Sequence, residues 1–187
     1  MRWGWKVTES SDLALAPSYL LPAFRFQVTL TAAPGPVPTE EKKFNASEWN
    51  PSPLGKGGFS ECSGLELETD VKEYLEGGRN DGVIRRVGRV KLSPIVLKRG
   101  MFAKDGKSRA NADLWLWLTR TVSGELPVTR YNGRIEIQNA AGTRTMAVWT
   151  FERGLPLKVT GPTLNARTGE IAVEELHIAH EGLRMET

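Results

Sequence analysis

Two histidines, His177 and His180, are the chain's only imidazoles. They lie three apart in a strand-like segment, and side chains three apart on a strand point to opposite faces. They therefore do not converge on one metal, and they read as structural. No G-x-S-x-G nucleophile elbow accompanies them. Glu66, Glu68 and Asp70 form a row of carboxylates at every second position, the kind of row that a metal or a glycosidase would use. Lys72 continues the row, so a solvated strand face is the better reading. Gly55-Lys56-Gly57-Gly58 is glycine-rich but lacks the Walker spacing. Cys62 is the single cysteine, which excludes an internal disulfide and a Cys-based zinc site. It reads as a small core residue. Arg79, Arg85, Arg86, Arg89 and Lys91 could meet nucleic acid, yet Tyr74 is the only nearby ring, so base stacking is poorly served. The residues thus predict no catalytic centre, no cofactor and no metal.

The composition points the same way. The chain has 187 residues, a length suited to one domain. Hydrophobic residues make up 40% and charged residues 25%, which fits a globular protein rather than a disordered one. Net charge is only +3, from 25 basic and 22 acidic residues, too small an excess for a dedicated nucleic-acid binder. The start, MRWGWKVTESSDLALAP, has no unbroken apolar run, so no secretory signal is expected. No stretch approaches the roughly 18 apolar residues of a membrane span, so no stable membrane insertion is expected. A lone cysteine fits folding in a reducing cytoplasm.

These residues need a β-rich scaffold. Residues 1–18 read as an irregular arm carrying Trp3 and Trp5. Phe24, Phe26, Val28 and Leu30 then alternate with Arg25, Gln27 and Thr29, as in a half-buried strand. Residues 32–58 hold five prolines and four glycines and read as a long loop. From 59 to 76 alternation returns, with Leu65, Leu67, Thr69 and Val71 opposing Glu66, Glu68, Asp70 and Lys72. The turn 77–82 ends in Asp81-Gly82, a preferred hairpin pair. The return strand, about 83–99, is basic where its partner is acidic, so cross-strand charges help set the register. Pro94 marks a kink or an edge in it. One helix is predicted, capped by Ser108 or Asn111, with Leu114, Trp117, Leu118, Thr121 and Val122 on its buried stripe. Trp115 falls off that stripe and is free to meet a second surface. Gly124 stands at the helix C-terminus. Strands follow at 134–138, at 146–151 with both faces covered, and at 155–159, where Leu155, Leu157 and Val159 alternate. In the last segment Ile171 and Val173 are odd-numbered but Leu176 and Ile178 even-numbered, which predicts a bulge near Glu174 and Glu175.

Several stretches, in order, resemble one family. Gly58-Phe59-Ser60-Glu61-Cys62-Ser63-Gly64-Leu65-Glu66 is similar to a GFSE-x-SGLE strand, and Glu73-Tyr74-Leu75-Glu76-Gly77-Gly78 to an EYREGG segment. Leu97-Lys98-Arg99-Gly100 and Leu114-Trp115-Leu116-Trp117 follow. Gly161-Pro162-Thr163-Leu164-Asn165-Ala166 and the run from Glu174 through His180-Glu181-Gly182-Leu183 resemble GP-x-LNA and AHEGL endings. Together they resemble the tail tube proteins of contractile phage tails and of phage-tail-like injection particles. The resemblance implies a mainly β fold: an antiparallel β-sandwich or barrel with one flanking α-helix and an extended β-hairpin.

It also implies assembly and partners. Members form hexameric rings that stack into a hollow tube, a homo-oligomer inside a contractile sheath. Implied partners are sheath subunits, baseplate, hub and spike proteins, and protein cargo or phage DNA in the lumen. Assembly is expected in the cytoplasm, the product being part of a virion or an extracellular or cell-associated particle. The implied assembly contacts are Glu73, Tyr74, Glu76, Gly77, Gly78, Asp81, Arg85, Arg86 and Arg89. Glu66, Glu68 and Asp70 are a candidate lumen face. The chain departs from the family by its arm at 1–18 and by extra residues within 32–57, leaving 19–187 as the tube-like domain. The insertion suits either a shaft subunit or a tube-initiator paralogue seated on the baseplate hub. A nucleic-acid-binding β-barrel using 79–91 is the remoter alternative.

Overall fold

The computed structural model describes residues 20–34, 54, 58–75, 77–78, 82–103, 110–167 and 169–186. The predicted arm and most of the predicted loop lie outside them. The elements run β1 (Phe26–Ala32), β2 (Glu61–Ser63), β3 (Leu67–Tyr74), β4 (Ile84–Leu92), β5 (Ile95–Gly100), α1 (Asp113–Val122), β6 (Tyr131–Gln138), β7 (Thr145–Thr160), β8 (Val173–Ala179) and β9 (Gly182–Glu186). The fold is mainly β, with antiparallel pairing in every named ladder and one described helix.

β7 organises the body. Its first half pairs with β6 and β9, and β6 pairs with β1. Its second half pairs with β8, followed by β5 and β2. One strand of 16 residues therefore belongs to two sheets, where the sequence pattern had suggested two shorter strands. It turns at Arg153, whose φ of 53° is left-handed. That conformation costs an ordinary residue about 1–2 kcal/mol, so neighbouring bonds must hold it. They do: the Arg153 N–H donates to Asn132 Oδ1 at 2.9 Å, and its carbonyl accepts Arg130 Nη1 at 3.1 Å. The β8–β9 link crosses at the same corner through His180 and Glu181. Glu181 accepts from Arg130 Nη1 at 2.6 Å and from Arg153 Nε at 2.8 Å.

The core fills the angle between the sheets. Leu30, Ile135, Phe151 and Leu183 come from one sheet, and Ile95, Leu97, Leu176 and Ile178 from the other. Each such side chain contributes about 1.5–3 kcal/mol by leaving water. Gly133 leaves the space that the Phe151 ring occupies, since a Cβ there would lie 2.0 Å from the ring. Cys62 packs against this core, and burial pushes its thiol up to about 11, so it is an unreactive neutral filler.

The predicted helix forms at 113–122 and buries Leu114 and Trp117, while Val122 at its end is exposed. Ala112 is the N-cap residue and makes no side-chain capping bond, whereas the sequence pointed to Ser108 or Asn111; Asn111 Oδ1 accepts the Asp113 N–H at 2.9 Å just ahead of the helix, and Ser108 lies outside the described residues. Gly124 N–H bonds Thr121 O and Glu125 N–H bonds Arg120 O, a Schellman end. Trp115, off the stripe, reaches Glu174 Oε2 with its indole N–H at 3.2 Å.

Three strand expectations are corrected. The return strand 83–99 is two strands, β4 and β5, broken at Ser93-Pro94 and belonging to different sheets. Leu155, Leu157 and Val159 do not share a face: an extra residue between Pro156 and Lys158 sends Leu157 outward, 56% exposed, while Pro156 faces in. No bulge interrupts β8 at Glu174, because 173–178 pairs regularly with β5. Glu174 simply occupies an inward position and is buried. Its register partner Arg99 is also buried, with Nε 2.6 Å from Glu174 Oε1. The Phe102 ring lies 5.1 Å from the Arg99 guanidinium carbon. The apparent phase slip in the sequence is the signature of this buried ion pair.

Removing one member strands the other. Glu174→Ala is expected to destabilise the chain by about 3–5 kcal/mol, whereas Arg99→Met with Glu174→Leu should stay within about 1–2 kcal/mol of the parent or exceed it. Denaturant titration of the two variants checks this, and equal losses would contradict it.

Candidate assembly site

The β3–β4 hairpin is a sheet of its own. It leaves the body through two adjacent crossings, 64–66 and 93–94. Gly64 makes the first, with φ 83°, and a Cβ there would lie 2.1 Å from the Pro94 carbonyl oxygen. Only glycine satisfies both the left-handed backbone and this close approach.

The hairpin register pairs Leu67 with Leu92, Glu68 with Lys91, Thr69 with Val90, Val71 with Val87, Lys72 with Arg86, Glu73 with Arg85 and Tyr74 with Ile84. Between the third and fourth pairs, Gly88 and Arg89 oppose Asp70 alone, a β-bulge. A Cβ on Gly88 would lie 2.7 Å from the Asp70 carbonyl oxygen. The bulge has a chemical result. Val87 and Val90, three apart, come to the same face, together with Leu67, Val71 and Leu92. That face is open: Leu67, Val71, Val87 and Val90 are 59%, 58%, 81% and 60% exposed.

The opposite face is charged and internally balanced. Lys91 Nζ lies 2.6 Å from Asp70 Oδ1 and 3.4 Å from Glu68 Oε1. Asp70 first, then Glu68, holds the Lys91 ammonium above its usual value. Arg86 sits 5.0 Å from the Tyr74 ring centroid. Near the hairpin tip the valine face ends in an ion pair, with Arg85 Nε 3.5 Å from Glu73 Oε1, two residues beyond Val87 and Val71.

The sequence-predicted residues fall as follows. Glu73, Tyr74, Arg85 and Arg86 gather in the outer half of the ladder; Gly77 and Gly78 are in the turn, and Arg89 is in the bulge. Glu76 and Asp81 lie outside the described residues. Of the candidate lumen carboxylates, Glu68 and Asp70 converge on Lys91, while Glu66 precedes β3. Sequence reasoning assigned Leu67 and Val71 to an apolar strand face and passed over Val87 and Val90. The signal was the glycine inside Val87-Gly88-Arg89-Val90, an offset that only a bulge reconciles with alternation.

His177 and His180 serve separate places. On the outer face, His177 Nε2 lies 2.5 Å from Glu175 Oε1, a bond that holds the Glu175 carboxyl below its usual range. His180 is buried at the corner. Among the described residues no three His, Cys, Asp or Glu side chains gather as a metal site would require.

A sheet body, one packed helix and a separate hairpin can be compared with known proteins. The family model described as T4-like virus tail tube protein gp19 matches residues 22–184. The chain belongs to that tail tube family. No curated protein matches it. Solved structures share its fold. A chain of the anti-feeding prophage baseplate, 6-fold symmetrised, superposes with TM-score 0.69 at 21% identity, over 91% of this chain and 97% of the other. A chain of the PVC sheath–tube complex, an extracellular contractile injection system in its extended state, gives 0.64 at 24% identity, over 96% and 98%. One from the anti-feeding prophage cap gives 0.65 at 22% identity, over 96% and 99%. This tail tube protein is a structural member of its family, and its candidate working surface is the hairpin.

Because the hairpin is outside the core, damage to it should stay local. Gly88→Val is expected to raise amide exchange throughout 67–92 and to leave the global unfolding free energy within about 0.5 kcal/mol of the parent. Exchange read by mass spectrometry beside a denaturant melt checks both. A collapse of global stability would show that the hairpin is part of the folding unit.

Proposed function

We propose that this chain builds the inner tube of a contractile tail or injection particle, as hexameric rings stacked into a hollow shaft. The observation that carries the reading is the open valine–leucine face on a two-stranded sheet. Such a sheet is marginal alone in water, so an apolar face of this kind calls for a covering partner. A second copy of the chain is that partner. Head-to-tail contacts close into a ring when the rotation permits, and a similar fold occurs in a 6-fold symmetrised baseplate.

The hairpin then has two duties. Its apolar face docks on the neighbouring subunit, with Glu73, Tyr74, Glu76, Gly77, Gly78, Asp81, Arg85, Arg86 and Arg89 completing contacts within and between rings. Its charged face, with Glu66, Glu68 and Asp70, turns to the lumen. Balanced charge there lets protein cargo or DNA slide past without adhering. Sheath subunits surround the tube, and baseplate, hub and spike proteins seat it. The role is non-catalytic. Assembly occurs in the cytoplasm, and the tube leaves as part of the particle without inserting stably in a membrane.

Val71→Lys with Val87→Lys tests the docking face. The variant is expected to melt like the parent yet to give no rings or tubes by electron microscopy; normal tubes would overturn the assignment. Glu66→Lys, Glu68→Lys and Asp70→Lys together test the lumen. With Lys91→Gln as the control for lost ion pairs, the triple variant should still form tubes but load different amounts of cargo. Unchanged loading would remove the carboxylates from the lumen.

A further inference from the structure

The hairpin is not the only place where apolar side chains are left open. The sheet β1–β6–β7–β9 runs from the corner to a far rim, and its core side can be followed row by row. At the corner end the row Leu30, Gly133, Phe151 and Leu183 is buried. The next row on that side is Val28, Ile135, Trp149 and Met185, and the last is Phe26, Ile137 and Ala147. Every side chain in these rows is apolar, yet cover runs out toward the rim. Met185 is 55% exposed, and Phe24, just ahead of β1, is 72% exposed. The core residues of the other sheet do not extend over this end, which forms an open apolar shelf.

The hairpin leaves from the opposite end. His180, at the β8–β9 turn, places Nε2 3.0 Å from the carbonyl oxygen of Ser93, so the hairpin base stands at the corner. β1 spans 7 residues between corner and rim, about 20 Å of strand. Among the described residues β3 and β4 pair only with each other. Within one chain, then, the valine face and the shelf stay apart and both stay open. They match in character: the shelf rows carry no charge, and the hairpin face carries none between Leu67 and the Glu73–Arg85 pair. Joining them strands no charged group away from water.

We propose that the shelf receives the valine face of a second copy's β3–β4 hairpin, and that this is the joint between successive rings. The inference rests on the hairpin being the docking element and adds where it docks. A contact between opposite ends of one chain is head-to-tail, and one that does not close on itself repeats along a line. Area fixes when it forms. The four open side chains of the hairpin offer on the order of 300 Å², well below the roughly 800 Å² per partner of a stable interface. Two free chains therefore do not hold each other, whereas six such contacts made together between two rings act as one joint.

Phe24→Asp with Met185→Asp tests the shelf. Both side chains are exposed, so the variant is expected to melt like the parent and to give no stacked tubes by electron microscopy. Val87→Cys with Met185→Cys in one chain gives a covalent readout, since the native Cys62 packs against the core. A short bismaleimide added to the assembled protein is expected to give a ladder of linked chains on a denaturing gel, and no ladder in either single-cysteine variant. Normal tubes from the Phe24/Met185 variant, tubes of the double-cysteine chain without a ladder, or a ladder from a single-cysteine variant would each overturn the proposal. If the Phe24/Met185 variant does not fold, the ladder decides. Normal tubes from that variant alone would leave the hairpin as the docking element and move its acceptor elsewhere. Normal tubes from the Val71→Lys, Val87→Lys variant as well would sink both readings.

Discussion

A strand that serves two sheets must turn without losing its place in either. β7 meets that constraint at Arg153 and Gly154, and most of the molecule follows from how it does so. The left-handed residue is held by Asn132 and Arg130, and its own side chain bonds Glu181. The chain thus passes the corner twice, at 153–154 and at 180–181, and each passage braces the other. The core lies inside the angle, with Phe151 at its apex against Gly133 and Ile178 beside Gly154. The hairpin base reaches the same corner through Ser93 and His180.

The sequence was legible where one face was apolar and the other polar. β1 keeps the predicted face, with Leu30 buried and Thr29 and Thr31 exposed. The helix keeps its buried stripe near Leu114 and Trp117, and its glycine end. Alternation misled where a polar residue faces inward. Glu174 interrupts the apolar row of β8, so the row looked displaced; only its partner Arg99, 75 residues earlier, explains it. Bulges misled in the same way. At Leu157 and at Gly88-Arg89 an extra residue shifts the faces, and single-strand periodicity does not contain the opposing strand that defines the shift. The hairpin itself was readable from its charge pairs, but the openness of its apolar face was not. A valine that awaits another chain alternates like one that awaits its own core.

The two faces of that hairpin differ in chemistry. The charged face settles its charges internally, through Lys91 and the ring of Tyr74 beside Arg86. Surface ion pairs of this kind contribute little stability, but they set register and oppose mispairing. Under the proposed function, the apolar face would supply what association needs, which is area leaving water. Gly88 joins the two, because its bulge decides which side each valine takes. The chain's architecture thus rests less on reactive groups than on backbone features: a bulge, a tight crossing at Gly64 and a shared strand.

The shared strand has a mechanical meaning as well. Tension along β7 is directed across the hydrogen bonds of both sheets, so those bonds are loaded together in shear instead of opening one after another like a zip. The bonds of β6, β8 and β9 all lie along this one load path. A pull along β7 passes through its covalent backbone from one sheet to the next.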